Sequence, residues 1–209
     1  MLSAYVSIVL VCAFLAILVL LHFLKPELDP SWRMISEYEI GRFGWIMRLA
    51  FFCWGASVLA LTIAIGPSLQ HTSGTIGRLW FILIAIALFG AGVFKTNPIT
   101  DSTPSVVNAL HVLCGAIVIL TFPAAATVAV YSLHLSPMWS ASQGPLILTT
   151  VVAWIGMITF FGSLVSARIK NPSAGEVGGP RVYQGWPNRF MVATYAVWIV
   201  VVAVLALRH

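Results

Sequence analysis

The chain has 209 residues, 8% of them charged and 60% hydrophobic, with 11 Lys and Arg against 6 Asp and Glu for a net charge of +5. Soluble domains carry about 25% charged residues, so this composition, with a mean hydropathy of +0.98, excludes a water-soluble globule and makes the bilayer the solvent. The basic residues stand singly among apolar runs, which excludes a nucleic-acid footprint.

Six stretches of 16 or more residues lack Asp, Glu, Lys and Arg: 1–24, 49–66, 79–94, 102–135, 141–167 and 190–207. They predict an all-α fold, a single six-transmembrane-helix bundle with spans at about 3–24, 47–66, 77–95, 105–131, 145–167 and 189–208. The first run lacks a basic leader, and His22-Phe23-Leu24-Lys25-Pro26 offers no small-residue cleavage site, so it is expected to be retained as a helix. The third is short and reaches across only if Arg78 and Lys95 snorkel to the two surfaces.

Connection one contains Ile35-Ser36-Glu37-Tyr38-Glu39-Ile40-Gly41-Arg42-Phe43-Gly44-Trp45. Ser36 can cap a short helix with Glu39 three residues on, and the glycines suggest a re-entrant turn or a close backbone approach. One reading is an amphipathic interfacial segment with Trp45 in the aromatic belt. The other makes Ser36 and Glu37 polar ligands at the mouth of a cavity. Connections two and four are short, with Gly66-Pro67-Ser68 and Leu135-Ser136-Pro137, whereas one and five are long and hold every acidic residue except Asp101, which lies in connection three.

Lys25, Arg33, Arg42, Arg48, Lys95, Arg168, Lys170, Arg181 and Arg189 fall on the side of connections one, three and five; Arg78 and Arg208 lie opposite. That bias predicts those connections in the cytoplasm and both termini outside it; a bacterial inner membrane is the expected setting. Gly44-Trp45-Ile46-Met47-Arg48 and Gly185-Trp186-Pro187-Asn188-Arg189 share Gly-Trp-x-x-Arg at an offset of 141 residues. The repeat is open to two readings, a duplicated helix pair setting two arginines around one vestibule or two independent interfacial anchors.

His22 and His111 fall inside predicted spans, roughly 4 and 9 Å deep from the long-connection side by helix rise, and so invite a functional reading. Two imidazoles on different helices can ligate a b-type haem, relay protons or meet a lipid headgroup; each can also be hydrogen-bonded to a neighbouring helix. Pro123 is expected to break the fourth helix. Cys12, Cys53 and Cys114 match no metal or redox spacing and are expected as small buried side chains. Gly90-Ala91-Gly92, Ala124-Ala125-Ala126, Gly156 and Gly162 are helix-packing residues, Gly90 and Gly92 on different faces. Phe51, Phe52, Trp54, Trp154, Phe160, Phe161 and Trp198 are then expected to face lipid or a partner.

The series Ser36-Glu37-Tyr38, Gly41, Gly44-Trp45, Phe94-Lys95-Thr96-Asn97-Pro98, Asp101, Ala109-Leu110-His111, Gly115, Gly185 and Arg189 resembles the six-helix membrane proteins called domain of unknown function 998. The resemblance covers most of the chain and implies a fold, not a reaction. That family has a Ser and paired glycines in its first long connection, an acidic residue after the third helix, a Gly-Leu-His-like entry to the fourth and an Arg opening the sixth. Lys95 stands where the family has Pro, and Asn97 where it often has Asp, which leaves open whether Asp101 takes the acidic role.

The sequence holds no His-Glu-x-x-His, no Gly-x-Ser-x-Gly and no Cys-x-x-Cys, and no Asp or Glu within a span to carry ions. A rim site built from Glu37, Asp101, His111 and Arg189 remains open to acid–base chemistry, but no reaction is assigned. The favoured reading is binding of a lipid or isoprenoid-like amphiphile, with Arg189 and Arg48 at the headgroup and Ser36, Glu37, Asp101 and His111 around it. The alternatives are an accessory subunit packed against other membrane proteins, and a haem protein with His22 and His111 as axial ligands.

Overall fold

The computed structural model describes residues 1–101, 103–170 and 182–209. Six helices make up most of them: α1 Leu2–Leu24, α2 Gly44–Ile65, α3 Thr72–Val93, α4 Val106–His134, α5 Gln143–Lys170 and α6 Gly185–Ala206. No strand occurs among the described residues, and all six helices are long and apolar enough to cross a membrane. Lipid offers the backbone no hydrogen bonds, so each spanning segment must satisfy its N–H and C=O groups internally, and a helix does so locally. The chain is an all-α polytopic membrane protein.

Connections one and three lie at one end of the bundle, the long-loop end, with the last residue of α5 and the first of α6. The turns Gly66–Ser68 and Pro137–Ser142 close the other. Arg181 and most of connection five lie outside the described residues. The third span gains its length at its start: α3 begins at Thr72, so Arg78 sits in its second turn rather than beyond its end.

Helix α6 is the central element. It packs against α1, α2 and α5, meets α3 through Phe81 and Trp198, with ring centroids 5.4 Å apart, and meets α4 through Phe122 and Tyr195 at 4.4 Å. Those four rings are fully buried and fill the middle of the bundle, each such pair contributing about 0.5–1.5 kcal/mol beyond burial. Here the expectation for the aromatics fails in part. Phe51, Trp54, Phe160 and Trp198 are buried, while Phe52 is exposed and Trp154 and Phe161 are half-buried. The helices are apolar all round, so sequence gives no polar stripe to mark which face turns inward. Cys12 departs likewise, being exposed on α1, while Cys53 and Cys114 are half-buried.

Pro123 does not break α4, which continues unbroken from Val106 to His134. Proline has no N–H for the carbonyl four residues back, here that of Ile119, and the Tyr195 hydroxyl donates to this carbonyl at 2.8 Å. A side chain of α6 thus repairs the gap in α4, as a membrane interior requires.

Small residues set the helix contacts. A Cβ on Gly90 would lie 2.6 Å from Cys114 Sγ of α4, and one on Gly92 2.8 Å from the Phe52 ring of α2, so α3 is buried on two sides as its glycines predict. Gly156 of α5 lies against Thr194 and Met191 of α6. Gly162 meets nothing within 4 Å and is not a packing residue. Ser7 and Ser57 lock α1 to α2 by a reciprocal pair, Ser7 Oγ donating to the Ser57 carbonyl at 3.0 Å and Ser57 Oγ to the Ser7 carbonyl at 2.9 Å.

The Gly-Trp-x-x-Arg repeat has a structural counterpart. Shifted by 141 residues, Gly44–Ile65 falls on Gly185–Ala206, and Leu2 falls on Gln143, the first residue of α5. Both glycines open their helices, both tryptophans are exposed, and both arginines are the fifth residue. The helix pairs α1–α2 and α5–α6 therefore occupy equivalent places in the chain.

Candidate functional site

Connection one folds across the long-loop end and is tied down at several points. Lys25, following α1, is buried and donates to the carbonyls of Tyr38 and Ile40; burial pushes its ammonium below the usual lysine range. A short 3-10 turn, Ile35–Glu39, carries Glu37, Tyr38 and Glu39 into the protein. Its cap is Met34 rather than the expected Ser36: the Met34 N–H donates to Glu37 Oε2 at 3.0 Å, so the back-bonding carboxylate is Glu37 and not Glu39. Ser36 is half-buried, and its hydroxyl makes no hydrogen bond among the described residues.

Two glycines make this path possible. Gly41 has φ 73°, in the left-handed region that costs other residues about 1–2 kcal/mol. Gly44 opens α2 so close to the turn that a Cβ would sit 2.0 Å from the Glu39 carbonyl oxygen. Gly185 does the same for α6: a Cβ there would lie 2.3 Å from the Pro30 carbonyl oxygen, and its N–H donates to the Ser31 carbonyl at 3.1 Å.

Three polar clusters result. In the first, Arg189 of α6 is buried, with all its bonds going to neutral groups of the chain: Nε to His22 Nε2 at 2.8 Å, Nη1 to the carbonyls of Pro30, Arg33 and Gly185 at 3.3, 2.7 and 3.0 Å, and Nη2 to the Tyr38 hydroxyl at 3.0 Å. His22 Nδ1 lies 2.7 Å from the Leu18 carbonyl, which only accepts, so Nδ1 carries the proton and the Nε2 lone pair faces the guanidinium. While Arg189 holds that lone pair it is not available to iron. His22 also packs against the Tyr38 ring, at 5.3 Å between centroids.

The second cluster centres on Glu37. Its Oε1 accepts from Arg33 Nη1 at 2.6 Å and from the Ile99 N–H at 2.9 Å, which joins connection one to connection three.

In the third, Glu39 Oε2 accepts from the Thr96 N–H at 3.3 Å and lies 3.5 Å from His111 Nδ1. His111 is buried on α4, and its Nδ1 faces the carbonyls of Phe94 and Ala91 at 2.7 and 3.1 Å. Both partners only accept, so Nδ1 is protonated and Nε2 presents a lone pair, with no hydrogen-bond partner among the described residues. Burial raises the Glu39 carboxyl to about 7, against the opposing pull of the Thr96 N–H and the charges of Arg48 and Lys95. Glu39 Oε1 and Arg48 Nε are buried and have no partner among the described residues. His22 and His111 thus belong to separate clusters, with no contact between them.

Asp101 joins none of these clusters. It is exposed, and hydrogen bonds from the Thr103 hydroxyl and N–H hold its carboxyl below the usual range. Asn97, where the family often has Asp, instead organises connection three: its N–H donates to Asn108 Oδ1 at 2.9 Å. The described residues hold no group of three or more His, Cys, Asp or Glu able to bind a metal.

Of the expected site residues, the structure places Arg48 and His111 around Glu39, puts Glu37 and Arg189 into tethers of connection one, and leaves Asp101 at the surface. Glu39, Tyr38 and Lys25 were missed as site residues. The available signal was Glu37 and Glu39 two apart beside glycines in an otherwise carboxylate-poor chain.

The family described as a protein of unknown function, DUF998, matches residues 8–205. The chain belongs to this family. The match includes connection one, α4 with His111 and α6 with Arg189, so the clusters described above lie within the DUF998 domain. No curated protein and no solved structure matches the chain.

Proposed function

We propose that this DUF998 protein binds an amphiphile, a lipid or isoprenoid-like molecule, at the long-loop end, with Arg48, Glu39 and His111 receiving its polar head. The observation that carries this reading is the pair of buried groups without partners, Glu39 Oε1 and Arg48 Nε, with His111 Nδ1 3.5 Å from the other oxygen of the same carboxylate. Buried polar atoms are nearly always satisfied, so an unmet acceptor with an unmet donor near enough to act on it calls for a polar guest; Arg33 Nε and the Gln184 side-chain amide at the same end are buried without partners as well. In the reading Arg189 is not a headgroup ligand: its donors already go to the chain, and its role is to hold connection one over the site.

The setting proposed is a bacterial inner membrane with the long-loop end in the cytoplasm and both termini outside. The orientation rests on nine of 11 Lys and Arg falling on that side of the six spans.

The test is the lipid that stays with the protein after mild extraction. Arg48→Ala and His111→Ala should each reduce bound lipid several-fold relative to wild type, with Asp101→Asn as an unaffected control. An unchanged lipid complement in both variants would refute the reading. Discovery of stoichiometric protein partners with no bound lipid would favour an accessory-subunit role.

A further inference from the structure

We infer that the head recognised at this site is a zwitterion, a phosphate joined to a primary ammonium, with the ammonium entering toward Glu39 and His111 and the phosphate remaining at Arg48. The inference rests on the amphiphile reading and specifies its ligand.

The argument starts from the sign and depth of the unmet groups. Glu39 is 2% exposed, with one carboxylate oxygen unpartnered, and His111, 5% exposed, has its Nδ1 3.5 Å from the other oxygen. Arg48, the fifth residue of α2, is half-buried with an unpartnered donor, and Lys95 is exposed. As whole residues Glu39 and His111 are therefore more enclosed than Arg48 and Lys95. Both cations are close enough to act on the Glu39 carboxyl.

A purely anionic head would satisfy Arg48 but would bring a second negative charge toward Glu39 and leave its oxygen unmet. A purely cationic head would meet Glu39 but pass two positive charges without compensation. A head with both charges pairs each with its opposite. The order of enclosure also fits, because the ammonium is the compact, outermost group of such a head and the phosphate lies next to the apolar tail. The N–H donors of a primary ammonium can supply Glu39 Oε1. A quaternary ammonium has none and leaves that oxygen unpaired.

The experiment uses the full-length protein in mild detergent, offered equimolar phosphatidylethanolamine, phosphatidylglycerol and phosphatidylcholine with identical acyl chains, and reads bound lipid by native mass spectrometry. Wild type should retain phosphatidylethanolamine over each of the others by about tenfold, the ratio that about 1.4 kcal/mol of unpaired buried polar groups produces. Glu39→Gln should bring that preference close to one while lipid remains bound. The comparison with phosphatidylcholine needs no variant, so it stands even if Glu39→Gln fails to fold. Equal retention of the three lipids by wild type, a preference for phosphatidylglycerol, or an ethanolamine preference that survives in a folded Glu39→Gln protein would each overturn the inference while leaving amphiphile binding intact. If wild type binds none of the lipids, amphiphile binding itself fails.

Discussion

Replacing Glu39 by Gln should stabilise the lipid-free protein at alkaline pH. Burial moves this carboxyl from 4.5 to about 7, so the native state holds a proton that the unfolded state has released between those values. Stability therefore falls as pH rises from about 4.5 to about 7 and is level above that, where ionised Glu39 is a standing cost. At about 1.36 kcal/mol for each unit of separation, the cost at pH 8 is about 3 kcal/mol. Gln carries no charge and keeps an acceptor for the Thr96 N–H, so Glu39→Gln should be more stable than wild type by up to about 3 kcal/mol at pH 8 and nearly equal to it at pH 4.5. The assay is denaturant unfolding in mixed micelles, followed by tryptophan fluorescence across that range. A gap between the two proteins that does not change with pH, or a less stable Glu39→Gln protein at pH 8, would refute the reasoning.

Tyr195→Phe should cost about 1–2 kcal/mol by leaving the Ile119 carbonyl unpaired in the bundle, and in a Pro123→Ala background, where residue 123 regains its N–H, the cost should largely vanish in a double-mutant unfolding cycle. Arg189→Lys should fail to replace Arg189, because an ammonium cannot reproduce the planar fork that meets His22, Tyr38 and three carbonyls; limited proteolysis should show connection one cut faster in this variant than in wild type. Gly44→Ala and Gly185→Ala should abolish stable folding through backbone collisions at 2.0 and 2.3 Å, whereas Gly162→Ala, with open space around it, should gain up to about 1 kcal/mol of helix propensity, read as yield of monodisperse protein and unfolding midpoint.

The bundle was legible because composition alone chooses the solvent, and lipid then permits little besides helices at these lengths. Arg78 and Pro123 show where that legibility stops. The hydrophobic run ends at Arg78, but α3 extends back through Thr72, Ser73 and Thr75 because a membrane helix can begin in the polar interface. Pro123 reads as a break in isolation, and only the approach of Tyr195 from α6 reveals its repair. The buried positions of Trp54 and Trp198 were hidden for a related reason, since lipid and protein interior select the same apolar side chains. At the site, Gly-Trp-x-x-Arg pointed to Arg48 and Arg189 together, yet only one is free for a ligand. The partner of the other, His22, lies 167 residues away, and a separation of that size is set by packing and not by any local pattern. The carboxylate facing His111 is Glu39 and not the Glu37 or Asp101 that the sequence pointed to, because a 3-10 turn with its cap at Met34 directs Glu37 to Arg33 and Ile99.

Native mass spectrometry of the protein gently extracted from its own membranes tests amphiphile binding most directly. The account predicts a discrete mass excess of one lipid-sized molecule over the 22.6 kDa chain, diminished in Arg48→Ala and His111→Ala. A bare chain mass in the wild-type protein, or an adduct that both variants retain in full, would contradict it.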